Sequence, residues 1–194
     1  MRTATEKLVL ASASPRRAEI LRRAGIPCRV RPAQIDEGLR RRETPEQHVG
    51  RLARAKAEAV RRPGETVLGA DTVVVIGKTI LGKPRDARHA ARMLRLLSGR
   101  SHRVLTGVCL LFEGGVLEDV ASTRVWFRPL RRAELAAYVA SGEPFDKAGA
   151  YAIQGLASKF VERIEGCYFN VMGLPVALVY ELLRGKGDPS LRSG

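Results

Sequence analysis

Near the middle of the chain, two long apolar-rich segments flank Glu113-Gly114-Gly115: about Arg103 to Phe112, and Val116 to Phe127. Two glycines between such runs are a hairpin signal, because tight hairpin turns need residues that adopt positive φ without strain. This hairpin constrains the fold more than any other feature. The segments around it alternate between strand and helix patterns, which by themselves suit a parallel sheet. An antiparallel hairpin in their midst predicts a mixed α/β sheet instead.

The flanking elements are legible locally. Lys7 to Ala11 reads as a short strand. Ser14-Pro15 follows as cap and first turn of a helix that points Ile20, Leu21 and Ala24 inward and stops at Gly25. Cys28 to Pro32 reads as a second strand and residues 36–44 as an exposed, Arg-rich loop. Thr44-Pro45 opens a helix with Val49, Leu52, Ala53, Ala57 and Val60 on one side. Thr66 to Ile76 is the most hydrophobic strand, dominated by β-branched residues, and Gly77-Lys78 turns it into Thr79 to Leu81. Asp86 caps a third helix whose core side carries Ala90, Met93, Leu94 and Leu97. After the hairpin come a helix over Leu130 to Ser141, a Gly-rich irregular stretch to Ala157, a strand over Lys159 to Ile164 and a helix from Pro175 to Arg184. The chain of 194 residues is expected to form one two-lobed domain over residues 1–185, with a polar C-terminal tail at 186–194.

Composition removes several classes of function. No apolar stretch reaches the ~18 residues of a membrane helix, and the N-terminal apolar run is too short for a secretory signal. Three cysteines, Cys28, Cys109 and Cys167, form neither a disulfide framework nor a CxxC site; Cys28 and Cys109 read as core thiols in strands, and a cytoplasmic setting is expected. The net charge is +14, with 27 of the 34 basic residues Arg. Residues 1–62 hold 16 basic groups against 7 acidic. Such an excess suits an anionic ligand, since the guanidinium fork matches phosphate oxygens, but it equally describes solvated helix faces.

Four places could carry chemistry. Ser12, Ser14, Arg16 and Arg17 cluster at a strand-to-helix junction, where free N–H groups and the helix dipole favour a phosphate; plain capping is the alternative. Asp71 interrupts the apolar run Val67 to Val75, and a carboxylate there needs compensation by a metal, a cation, a raised pKa or backbone donors. Gly69 and Ala70 are read as keeping that backbone accessible. Lys83, in Leu81-Gly82-Lys83-Pro84, can neutralise a phosphoryl oxygen; an ordinary exposed turn lysine is the alternative. The stretch Pro144 to Gly155 sets Asp146, Lys147, Tyr151 and Gln154 among small residues that permit close approach of a ligand, and the Gln amide can read a base edge; a structured surface loop whose glycines only serve turns is the alternative. Histidine spacing excludes HExxH zinc chemistry, and neither a GxxxxGK[ST] loop nor a GxSxG elbow is present.

Taken together, LASASPRR (10–17), GADTVV (69–74), LGKPRD (81–86), LSGRSHRVLTGV (97–108), DKAGAYAIQG (146–155) and FVERIEGCYFNVMGLP (160–175) resemble the Maf family of nucleoside triphosphate pyrophosphatases. The resemblance implies a fold like that of the inosine triphosphate pyrophosphatases: an elongated mixed β-sheet forking into two lobes with flanking helices. It implies a homodimeric, cytoplasmic enzyme with a Mg²⁺ or Mn²⁺ cofactor. The reaction implied is hydrolysis of a nucleoside triphosphate between its α and β phosphates. By the same resemblance Ser12, Arg16 and Arg17 bind phosphate, Glu37 and Asp71 hold the metal, and Asp71 accepts a proton. Lys56, Lys83 and Lys147 face the triphosphate, Lys83 being grouped with Asp71 as catalytic. Arg16, Thr72 and Gln154 set base preference, and the YAIQG form resembles the branch acting on dTTP and UTP. Two other readings stay open. One is the same chemistry on 7-methyl-GTP or modified nucleotides. The other is a non-catalytic nucleic-acid-binding regulator of cell division, although the set of acidic and basic site residues argues against nucleic acid as partner. The sequence departs from the family pattern at Leu156-Ala157-Ser158 and at Cys167.

Overall fold

A computed structural model describes residues 8–186. The chain order is β1 (Leu8–Leu10), α1 (Pro15–Arg23), β2 (Cys28–Val30), α2 (Pro45–Val60), β3 (Thr66–Ile76), β4 (Thr79–Leu81), α3 (Ala87–Leu97), β5 (Ser101–Phe112), β6 (Gly115–Phe127), α4 (Arg132–Ala140), β7 (Val161–Glu165), α5 (Tyr168–Val171) and α6 (Val176–Gly185). Three short 3-10 helices, Glu143–Asp146, Ala148–Ala150 and Leu156–Phe160, organise the stretch read as irregular.

The strands form one seven-stranded mixed sheet in the order β2-β1-β3-β5-β6-β7, with β4 beside β3. β1 is parallel to both β2 and β3, and Leu8 pairs with Cys28 on one side and Thr66 on the other. β4 returns antiparallel on β3, and β7 runs antiparallel to β6, with an irregularity between Trp126 and Phe127. The mixed sheet that the hairpin demanded is therefore present, and β5 and β6 form that hairpin.

Contacts divide the chain into two units. Among the described residues, the first comprises 8–71, 106–121 and 173–186; the second comprises 72–105 and 122–172. The first unit packs Val9, Ala11, Ala53, Ala57, Val60, Val67, Cys109 and Leu111 between α2 and the strands. In the second, Met93, Leu94 and Leu97 from α3 meet Val74, Val104, Val125, Phe127, Tyr138, Tyr151 and Phe160. The apolar sides read from the sequence for α2 and α3 are the buried ones.

Some local expectations need correction. Ser14 occupies the N-cap position of α1, but its side chain makes no capping bond; its backbone N–H donates to Ser12 Oγ instead. Ala24 is exposed, because α1 ends at Arg23 and Ala24 is its C-cap; Arg17 fills the third inward position. Cys109 is buried as expected, whereas Cys28 is only half-buried. β7 begins two residues late because Leu156–Phe160 closes into a 3-10 helix. The single turn α5 is too short to leave a periodic signal. Lys7, at the start of the first expected strand, and residues 187–194 of the expected tail lie outside the described residues. Among those described, no helix is long and apolar enough to cross a membrane.

Candidate active site

The first unit holds Ser12, Arg17, Glu37, Lys56 and Asp71 in two sets: Lys56 bridges Glu37 and Asp71, and Arg17 bonds Ser12 and the carbonyl of Ala70, the residue before Asp71. Its frame is the approach of α2 to the sheet. A Cβ on Gly69 would lie 2.0 Å from the carbonyl oxygen of Ala53, and one on Gly107 would lie 2.3 Å from that of Val49. Only glycine at these strand positions lets the helix backbone come so close. The sequence reading of Gly69 and Ala70 as keeping the backbone accessible is thereby overturned: both are buried, and Gly69 serves to seat α2.

This close approach carries Lys56, one turn beyond Ala53, onto Asp71, two residues beyond Gly69. Lys56 Nζ lies 2.6 Å from Asp71 Oδ1 and 2.6 Å from Glu37 Oε1. Lys56 and Asp71 are buried, whereas the Glu37 side chain retains 57% of its exposure. One ammonium thus bridges a buried and an accessible carboxylate. The compensation that the sequence demanded for Asp71 is a cation, and its donor lies on a neighbouring helix.

Arg17 completes the group from below. Its Nε donates to Gly173 O at 2.7 Å; one terminal nitrogen donates to Ala70 O at 2.7 Å and to Ser12 Oγ at 3.1 Å. Burial lowers the pKa of the guanidinium, and the field of Asp71 opposes that shift. The side chain therefore ties the β1–α1 turn to the carbonyl just before Asp71. Arg16, its neighbour, is half-exposed.

The Glu37 loop has a brace that the sequence reading missed. Glu43 receives Arg51 Nε at 2.5 Å and contacts His48 Nδ1 at 3.0 Å, while Arg51 also donates to Gly38 O at 3.0 Å. Hydrogen bonds from Arg51 hold the Glu43 carboxyl far below the usual carboxylate range. Thr44 and Gln47 form a reciprocal capping box at the start of α2, fixing where the loop ends. Thr44-Pro45 in the sequence signals the cap, but no local pattern ties Glu43 to Arg51.

The second unit holds Thr72, Lys83, Lys147 and Gln154. Thr72 is the least buried residue of β3. Lys83 is exposed, and Gly82 O accepts from Gly149 N at 3.0 Å, which joins the Lys83 turn to the Lys147 segment. Lys147 Nζ donates to Glu143 O at 2.7 Å and to Asp146 Oδ1 at 2.5 Å. Gln154 is exposed beside buried Ile153, and Glu143 pins the end of its segment by accepting from Tyr138 Oη at 2.8 Å and Leu156 N at 3.0 Å. Further along, Asn170 Nδ2 donates to Val104 O and Thr123 Oγ1, each at 3.0 Å, and Cys167 N donates to the same hydroxyl. The departure at Cys167 therefore sits on a backbone contact.

A family model described as Maf-like protein matches residues 7–186. The chain belongs to the Maf family. Among Maf relatives, the dTTP/UTP pyrophosphatase of Geotalea uraniireducens (strain Rf4) is 52% identical over 191 residues, covering 96% of this chain and 98% of the relative. That of Koribacter versatilis (strain Ellin345) is 50% identical over 182 residues, with 93% and 94% covered. The Staphylococcus aureus Ham1 protein superposes with a TM-score of 0.51 at 12% identity, over 93% of this Maf chain and 99% of Ham1. At that identity the likeness shows the fold alone, in line with the inosine triphosphate pyrophosphatase-like architecture expected above.

Among the described residues, no three His, Cys, Asp or Glu side chains cluster to hold a metal. What this Maf protein offers instead is a carboxylate pair closed over an ammonium.

Proposed function

We propose that the protein is a nucleoside triphosphate pyrophosphatase acting on dTTP and UTP, releasing the monophosphate and pyrophosphate. The observation that carries the reading is the meeting of Glu37, Lys56 and Asp71 in a chain whose near relatives are named dTTP/UTP pyrophosphatases. Cleavage between the α and β phosphates needs a general base, a set of cations for the triphosphate and relief of developing charge. Glu37 and Asp71 supply hard oxygen donors, and Mg²⁺ or Mn²⁺ is held well by one or two carboxylates together with substrate phosphates. The residues present fit such an ion, which when bound offsets negative charge on the phosphate oxygens.

Asp71 takes the proton of the attacking water. The water oxygen bonds to the α-phosphorus, the α–β bridging P–O bond breaks, and its electrons leave with pyrophosphate. Arg16, Lys56, Lys83 and Lys147 each contact phosphate oxygens, while Ser12 and Arg17 shape the β1–α1 turn as well as adding donors. Thr72 and Gln154 address the pyrimidine edge. We also assign a homodimeric state and a cytoplasmic setting, on the family resemblance. The test is pyrophosphate release across UTP, dTTP, the other canonical triphosphates and 7-methyl-GTP, with and without Mg²⁺. UTP and dTTP should lead. Preference for 7-methyl-GTP would overturn the base assignment, and no release from any nucleotide would overturn the reaction.

A further inference from the structure

We infer that Lys56 is an internal lock on the carboxylate pair, which keeps a divalent cation from binding before the nucleotide arrives. The inference rests on the reading of Glu37 and Asp71 as metal ligands. Its basis is charge and geometry within the first unit. Lys56 places one ammonium 2.6 Å from both carboxylates, Glu37 and Asp71, and the buried Arg17 guanidinium lies within the field of both, with Arg16 beside it. Both carboxylates thus already hold a cation without any metal. A divalent ion entering the pair alone would meet an ammonium already on both ligands, and like charges at such range repel, most strongly on the buried Asp71 side.

Of Lys56 and Arg17, Lys56 is the one that can yield. Arg17 is held by Gly173 O and Ala70 O, and moving it would break two bonds to carbonyls of buried residues. Lys56 has a flexible four-carbon stem on a helix whose backbone is fixed against Gly69, so its ammonium can swing while α2 stays in place. A triphosphate supplies the alternative partner. Its oxygens draw the ammonium off the carboxylates as the metal enters, so ion and nucleotide load together. Lys56 thereby acts twice: as a guard in the free protein, and as a phosphate contact in the loaded one.

The experiment is Mn²⁺ binding to the full chain without nucleotide, followed by electron paramagnetic resonance and by thermal stabilisation. Lys56→Gln, which keeps length and removes charge, should bind Mn²⁺ at least about tenfold more tightly than the wild type. Lys56→Arg, which keeps the charge and serves as a second variant should the first lose its fold, should bind as weakly as the wild type. In the wild type, a UTP analogue with a non-hydrolysable α,β link should restore tight Mn²⁺ binding. Equal or weaker Mn²⁺ binding by a folded Lys56→Gln would overturn the lock, as would tight binding by the free wild type. These outcomes are read without turnover. A protein that hydrolyses UTP but fails them loses the lock alone; one that passes them but releases no pyrophosphate loses the proposed reaction alone.

Discussion

His102 sets up a test of how the second unit responds to acid. The ring is buried, its Nε2 lies 2.8 Å from Tyr151 Oη, and its Nδ1 has no hydrogen-bond partner. Phe127 and Tyr151 pack edge-on against it at centroid distances of 5.1 and 5.4 Å. Burial lowers its pKa from 6.5 to about 4. Between those values the unfolded chain binds a proton that the native state refuses, so stability rises with pH across the window. The contribution is fully present above pH 6.5 and is lost as the pH falls toward 4. At ~1.36 kcal/mol per pH unit the full span amounts to ~3 kcal/mol, of which ~2 kcal/mol falls between pH ~7 and pH ~4.5. The perturbation is His102→Gln, which places a non-titrating amide there. Urea denaturation of both proteins at the two pH values and constant ionic strength gives the comparison. Glu19, Glu43 and Glu134, whose pKa values are lowered by arginine partners, weaken both proteins alike on acidification, so they cancel. The wild type should lose ~2 kcal/mol more than the variant, or ~4–8 °C in Tm for a protein of this size. Parallel pH profiles would refute the argument.

Three further outcomes are expected. Asp71→Asn should leave the circular dichroism spectrum unchanged and reduce kcat for UTP by ~100-fold or more, since it removes the general base; near-normal pyrophosphate release would remove Asp71 from that role. Gly69→Ala should lower stability by ~1–3 kcal/mol or more through its clash with the Ala53 carbonyl, and should reduce activity by displacing Lys56; denaturant midpoints and kcat check this. Gln154→Ala should flatten the nucleotide panel more than it slows UTP, and an unchanged panel would place Gln154 outside base recognition.

The elements of this chain were legible because their signals are local. The paired glycines at the β5–β6 turn, the caps at Thr44 and Asp86 and the apolar stripes of α2 and α3 each occupy a few neighbouring residues, and all recur in the structure. Local reading failed where a neighbour in space decides. It made Gly69 a marker of open backbone, since nothing within a few residues announces the Ala53 carbonyl; at Ser14 the competing acceptor, Ser12 Oγ, was only two residues away.

For the candidate site the division is similar. Asp71 stood out in the sequence because a carboxylate in an apolar strand violates a solvation rule that can be checked in one dimension. Glu37 and Lys56 carried no such mark and entered only through the family resemblance. Which cation answers Asp71 is a tertiary matter, for the ammonium comes from a helix 15 positions away in sequence, seated by glycine on two strands. The same holds for Arg17, whose guanidinium the fold turns inward onto Ala70 and Gly173, and for Arg51, which braces the Glu37 loop through Glu43. Solvation and periodicity act along the chain and can be read there. Charge pairing acts across space, and only the fold brings its partners within reach.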